Sequence, residues 1–150
     1  MKEITLSIII PAYNEEERLP RTLKTIHDFL EKQPYQAEVL VVENGSSDRT
    51  LAIAREYERQ LREVRAQHCD QRGKGRAVIQ GMQSARGRYR FICDADLSMP
   101  IEEVNRFFPP QHEDSGVVIG SRVAAGGKRI GEPVYRHIIG RIFNAMVRWI

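Results

Sequence analysis

The sequence predicts an α/β fold in which a mostly parallel sheet carries helices on both faces. Three observations predict it. Short β-branched runs alternate along the chain with longer segments of helical periodicity. Polar clusters follow the strand-like runs. The 150 residues, 41% hydrophobic and 29% charged, suit one globular domain over 1–150.

Residues 4–10, Ile-Thr-Leu-Ser-Ile-Ile-Ile, end at Pro11 and read as a buried strand. Asn14 followed by Glu17 has the spacing of a capping box, so a helix is expected from there through Leu19, Leu23, Ile26 and Leu30, with Pro20 bending or restarting it. Residues 38–42 form a second strand, followed by the turn Asn44-Gly45-Ser46-Ser47-Asp48. Leu51, Ala54, Tyr57, Leu61 and Val64 share a helical face, and a weaker strand falls within residues 64–69. Arg72-Gly73-Lys74-Gly75 opens a helix containing Ala77, Val78, Gly81, Met82 and Ala85. Residues 89–93 read as a strand ending at Asp94, residues 101–108 as a short helix, and residues 116–120 as a further strand. Residues 123–132 are loop-like. The final segment places Ile138, Ile139, Ile142, Phe143, Met146 and Ile150 on one helical face, and the chain stops there without a cap, so it reads as C-terminally truncated.

A formal charge of +3 suits an anionic partner but names none. The basic residues form no nucleic-acid stripe with interleaved aromatics, so nucleic acid is not an expected partner. Cys69 and Cys93 are far apart and form no CxxC pair, so a reduced intracellular compartment is the simpler reading, and the four histidines lack metal-ligand spacing. No run of about 20 apolar residues crosses a membrane. Residues 134–150 suit either core packing or peripheral contact with a membrane surface.

In parallel sheets, ligands bind beyond the carboxyl ends of the strands. Asn14-Glu15, Glu43-Asn44, Asp94-Ala95-Asp96 and Ser121-Arg122 are therefore expected on one edge. Asp94 and Asp96 are two apart, and in extended backbone such side chains point the same way. Adjacent carboxylates suit a hard cation, Mg²⁺ or Mn²⁺, which also bridges diphosphate oxygens; the other reading is a solvated acidic loop. Glu43 and Asn44 suit reading a base or ribose edge, or a turn with a helix cap. Arg72 and Lys74 at a helix amino end suit phosphate, or a flexible basic loop. Arg122 and Arg136 each suit a phosphate clamp, although a solvated face is the plainer reading of Arg136.

The order Ser7-Ile-Ile-Ile-Pro-Ala-Tyr-Asn-Glu-Glu-Glu, Val-Val-Glu43-Asn-Gly-Ser-Ser-Asp, Arg72-Gly-Lys-Gly-Arg-Ala-Val, Asp94-Ala-Asp-Leu-Ser-Met-Pro and Val-Ile-Gly-Ser-Arg122 resembles family 2 glycosyltransferases of the GT-A, Rossmann-like fold. Within that family the pattern is most similar to dolichyl- and polyprenyl-phosphate glucosyl- and mannosyltransferases. The resemblance implies inverting transfer of a hexose, with glucose favoured, from a nucleotide-diphosphate sugar to a lipid phosphate at the cytoplasmic face of a membrane. UDP-glucose is the favoured donor and GDP-mannose the other. It assigns donor binding to Pro11, Tyr13, Glu15, Glu43, Asn44, Lys74 and Asp94. Glu43 and Asn44 stand where many members carry two aspartates. It assigns metal binding to Asp96 with Asp94, and catalysis to Asp94, Asp96, Arg122 and Arg136. Ser98 stands where some mannosyltransferases carry a metal-binding glutamine. Transfer to a sugar hydroxyl and a donor-binding module without activity are the rival readings.

Overall fold

The computed structural model describes residues 3–109 and 116–120. The elements below belong to the first of two compact units, Met1–Gln111; residues 116–120 fall in the second, His112–Ile150. Strands β1 (Leu6–Ala12), β2 (Ala37–Glu43), β3 (Val64–His68) and β4 (Tyr89–Ile92) alternate with helices α1 (Leu19–Leu30), α2 (Thr50–Gln60) and α3 (Lys74–Ser84). A 3₁₀ helix follows over Ile101–Phe107. The sheet order is β3-β2-β1-β4 and every pairing is parallel.

Strand β1 explains the two-faced architecture. Its side chains alternate across the sheet. Leu6, Ile8 and Ile10 pack with Leu19, Leu23 and Ile26 of α1 and Ala54 of α2. Ile9, between them in sequence, packs on the other face with Val42 and with Ala77 of α3. All four are at most 1% exposed, which is why this strand is apolar without alternation. Helix α3 lies very close to the sheet: a Cβ on Gly81 would stand 2.4 Å from Ile9 Cγ2 and 3.2 Å from Val42 Cγ2.

Helix α1 starts at Leu19, not after Asn14, and Pro20 sits in its first turn. Proline costs nothing there, because first-turn N–H groups have no intrahelical acceptor. Asn14 instead takes a left-handed backbone, φ 53°, and its side-chain oxygen accepts the Ser47 N–H at 2.9 Å. Helix α2 ends at Gln60, because Leu61 turns to extended backbone and Val64 opens β3. The fifth strand expected at residues 116–120 is not formed. Val117 and Ile119 are each 81% exposed; β-branched residues favour a strand only when a neighbour pairs with them.

At the amino edge of the sheet, buried Glu38 ties four elements together. Its Oε1 accepts the Ser7 hydroxyl at 2.7 Å and the Arg86 N–H at 2.6 Å. Its Oε2 accepts Arg65 Nη1 at 3.0 Å, and Ser7 Oγ accepts the Gly87 N–H at 2.8 Å. Burial pushes this carboxyl's pKa up, but the Arg86 N–H, the Ser7 hydroxyl and the Arg65 guanidinium outweigh burial and hold it below the ordinary range. A carboxyl with a depressed folded pKa stabilises the fold above its unfolded pKa, and that stabilisation is lost as pH falls through the folded value.

Two outcomes are expected in urea unfolding. Glu38→Ala should lower stability by ~2–4 kcal/mol, because three donors lose their acceptor, and it should flatten the acid limb of the stability profile. Gly81→Ala should cost ~1–3 kcal/mol through overpacking against Ile9.

Candidate functional site

Parallel strands bring their carboxyl ends to one edge. The order β3-β2-β1-β4 puts a topological switch point between β1 and β4, because the chain leaves β1 toward β2 and returns on the other side. A cavity of about 470 Å³ opens at that edge. This lies in the ~300–1,000 Å³ range of small-molecule sites. It is lined by Pro11 and Ala12 at the end of β1, Tyr13 and Glu15 after it, Asn44 after β2, Arg72, Gly73 and Lys74 before and at the start of α3, and Asp94, Ala95 and Asp96 after β4.

The acidic side is built on a turn. The Leu97 N–H donates to Asp94 O at 3.1 Å and Leu97 has φ 49°, so Asp94 and Asp96 are not on the extended backbone expected from their spacing. Both still line the cavity, because buried Ala95 pins the turn: its carbonyl accepts the Thr22 hydroxyl from α1. Asp96 Oδ1 accepts the Ser98 N–H at 2.9 Å. Glu15 joins them from the β1 side, held by its N–H to Thr50 Oγ1 at 2.8 Å. Burial raises the pKa of Glu15; Arg18, 2.9 Å from its Oε2, opposes the rise, while Asp96, Asp48 and Asp94 add to it. That Oε2 is buried and makes no well-directed hydrogen bond among the described residues. Beside this cluster the Cys93 thiol is pushed up to about 12, by burial first and then by Asp94 and Asp96, which disfavours its thiolate.

The basic side comes from the amino end of α3. Gly73 takes φ 132°, a backbone that side chains rarely adopt, and no side chain caps the helix. Lys74 Nζ lies 2.6 Å from Asp94 Oδ1, across the cavity mouth. Both side chains are largely exposed, and such pairs contribute only ~0–1 kcal/mol, so Lys74 can turn to another anion at little cost. Arg72 Nη2 donates to the Tyr13 hydroxyl at 3.1 Å, with the guanidinium 5.5 Å from the ring centroid.

Asn44 joins the two sides. Its Oδ1 accepts the Gly73 N–H and its Nδ2 donates to Gln71 O, both at 2.6 Å. An amide can donate and accept at once, which a carboxylate cannot.

The cavity thus brings together Pro11, Tyr13, Glu15, Asn44, Lys74, Asp94 and Asp96 among the expected site residues. Glu43 is not among its lining residues; it is 1% exposed, with both carboxylate oxygens engaged by Ser46 and His68. Arg122 and Arg136, and the membrane-facing segment 134–150, lie outside the described residues. Arg72, which the sequence offers as a phosphate-suited cation or part of a basic loop, lines the cavity against Tyr13. Its stacking on Tyr13 joins residues 59 apart, and no local pattern carries that. Among the described residues no three His, Cys, Asp or Glu side chains converge on one ion position. No described helix is long and apolar enough to cross a membrane.

The sequence profile described as glycosyl transferase family 2 matches residues 7–148. A dolichyl-phosphate beta-glucosyltransferase of Drosophila melanogaster is 38% identical over 98% of this chain and 49% of its own length. A dolichol-phosphate mannosyltransferase of Pyrococcus furiosus is 34% identical over 91% of this chain and 38% of its own. The chain thus spans about half, or less, of the length of these relatives. Among solved structures, the mannosyltransferase PcManGT from Pyrobaculum calidifontis, in complex with GDP-Man and Mn²⁺, superposes with TM-score 0.53 at 27% identity, over 63% of this chain and 28% of that one. S. aureus TarS 1–349 in complex with UDP gives TM-score 0.53 at 26% identity, over 62% and 28%.

Asn44→Asp is expected to destabilise the fold by ~1–3 kcal/mol, because the new carboxylate keeps the Gly73 N–H but faces the Gln71 carbonyl without a donor. Thermal unfolding reads the loss, which Asn44→Ala should match or exceed.

Proposed function

Because the chain belongs to glycosyl transferase family 2, we propose that it binds a nucleotide-diphosphate sugar in the cavity at the carboxyl edge of the sheet and passes its hexose, with inversion, to a polyprenyl or dolichyl phosphate. One observation carries this reading. The cavity sets a carboxylate pair, Asp94 and Asp96, opposite a cationic helix start, Arg72 to Lys74, and a diphosphate with a divalent cation complements both.

The residues divide the work by chemistry. Pro11 and Tyr13 offer an apolar and aromatic wall for the base, with Arg72 over the ring. Lys74 and the uncapped N–H groups of α3 meet the phosphates, and Lys74 leaves Asp94 to do so. Arg122 and Arg136 belong to the same reading as groups that handle phosphate charge.

Asp96, with Asp94, would hold Mg²⁺ or Mn²⁺. The donor set fits: the oxygen ligands are hard, and the carboxyl of Glu15 feels the negative field of both aspartates. Magnesium commonly takes one or two carboxylates and completes its shell with water and phosphate, so a two-carboxylate site is sufficient. When bound, such an ion neutralises charge on the departing diphosphate. A phosphate acceptor has a second pKa of ~6 and is ionised at neutral pH, so no strong base need be found among these residues.

Glucose from UDP-glucose is the favoured transfer; the 38% identity to a dolichyl-phosphate beta-glucosyltransferase, against 34% to a dolichol-phosphate mannosyltransferase, supports that preference. A lipid acceptor places the reaction at a membrane, on the cytoplasmic face.

Calorimetric titration of the full-length protein with UDP-glucose and GDP-mannose should show binding that needs Mn²⁺ and favours UDP-glucose. Polyprenyl phosphate added to that mixture should yield a sugar-lipid. Asp96→Asn should lower turnover roughly a hundredfold or more. Unchanged turnover would refute the metal role of Asp96, and equal binding without Mn²⁺ would refute the metal-assisted site.

A further inference from the structure

We propose that His68, outside the cavity, is a positioning residue for the donor site, acting through the buried carboxylate of Glu43. The inference rests on the donor-binding reading of the cavity.

Glu43 and His68 are register partners at the ends of β2 and β3, so their side chains leave the sheet side by side. His68 Nδ1 lies 2.5 Å from Glu43 Oε2, and the other oxygen, Oε1, accepts the Ser46 N–H. A carboxylate only accepts, so Nδ1 carries the proton in this bond. The Glu43 side chain is 2% exposed. Burial works against its charge, but the Ser46 N–H and the His68 imidazole hold its pKa below the ordinary range, so it is a buried anion at neutral pH. The Nε2 of His68 faces Asp70 at 3.2 Å, on a side chain 95% exposed to water.

The segments that Glu43 holds are walls of the cavity. The Ser46 bond fixes the turn 43–46, whose Ser46 Oγ accepts the Asn14 N–H at 3.1 Å. Within that turn Gly45 packs against Arg72: a Cβ there would be 3.3 Å from Arg72 Cγ. The carbonyl of Glu43 accepts the Cys69 N–H at 2.8 Å, and neighbouring Asn44 clamps Gln71 and Gly73. The strand ends on either side of the Glu43–His68 bond therefore lead directly to Asn44, Arg72 and Gly73, all of which line the cavity. Without His68, the buried carboxylate loses its imidazole donor and is left with Ser46 alone, so it must draw on water or another N–H and pull the turn with it. Binding of the donor is affected first, because His68 touches none of the acidic residues beside the reacting bond.

The test compares wild type, His68→Ala, His68→Asn and Asp70→Asn in the full-length protein. Turnover is measured against UDP-glucose with Mn²⁺, and amide hydrogen exchange at Ser46 and Gly73 is followed without ligand. Asparagine places an N–H near the position of Nδ1. His68→Ala should raise KM for the donor roughly five- to twentyfold with kcat within about twofold, and should speed exchange at both amides. His68→Asn should recover most of the affinity, and Asp70→Asn should match wild type. A wild-type KM with unchanged exchange in His68→Ala overturns the proposal; so does His68→Asn as impaired as His68→Ala, or a fall in kcat at constant KM. If wild type binds no UDP-glucose, the donor reading fails by itself, and the exchange comparison still decides whether His68 holds the turn. Should His68→Ala not fold, His68→Asn against His68→Gln decides, since glutamine sets its amide farther out, near Nε2; equal KM values overturn the Nδ1 assignment.

Discussion

Everything in the described fold depends on one constraint, the parallel pairing of β1 with β2 on one side and β4 on the other. Ile9 sits opposite Leu40 in one ladder and opposite Ile92 in the other. Parallel registers leave no freedom in where the strands end: Ala12, Glu43 and Ile92 must finish on the same edge. The helices that make the crossovers then cover both faces, which is why Ile8, Ile9 and Ile10 can all be buried in succession. The site is what remains at that edge once the chain has reversed direction of travel across the sheet.

The two edges of this sheet handle buried charge in contrasting ways. At the amino edge Glu38 is saturated by Ser7, Arg65 and Arg86, and it serves to fasten the chain. At the carboxyl edge the acidic groups are left under-compensated. Glu15 keeps an oxygen without a directed donor, and Asp94 is balanced by a lysine that is itself exposed. The first arrangement fastens the fold; the second, in a cleft where Asp94 is half-exposed, leaves negative charge that the proposed cation and diphosphate would complement. Glu43 belongs with Glu38 in kind, but it stands beside the second group in space, and so links fastening to binding.

Much of this was legible in the chain. The β-branched runs, the helical faces and the polar clusters after them fixed the α/β layout, and the position of Asp94-Ala95-Asp96 after a strand put it on the ligand edge. The misreadings have physical causes. Asn14 looked like a helix cap because capping and left-handed turns favour the same residue, and only the tertiary contact with Ser47 decides between them. The spacing of Asp94 and Asp96 suggested extended backbone, but the buried Ala95 anchored to Thr22 turns the chain first. Residues 116–120 have a strand's composition without a partner strand among the described residues. The chain makes Glu43 and Asn44 look alike, and only the fold separates them: Glu43 is buried under Ser46 and His68, while Asn44 lines the cavity. His68 could not be found at all from local pattern, since its role comes from the β2–β3 register.

In the proposed function a nucleotide diphosphate binds between the aspartates after β4 and the amino end of α3. The most direct measurement is a crystal structure of the full-length protein grown with UDP and Mn²⁺. The diphosphate is expected within hydrogen-bonding distance of Lys74 and the first amides of α3, with the ion between it and Asp96. A nucleotide found elsewhere, or one bound at this edge with Lys74 still on Asp94 and no ion at Asp96, would contradict it.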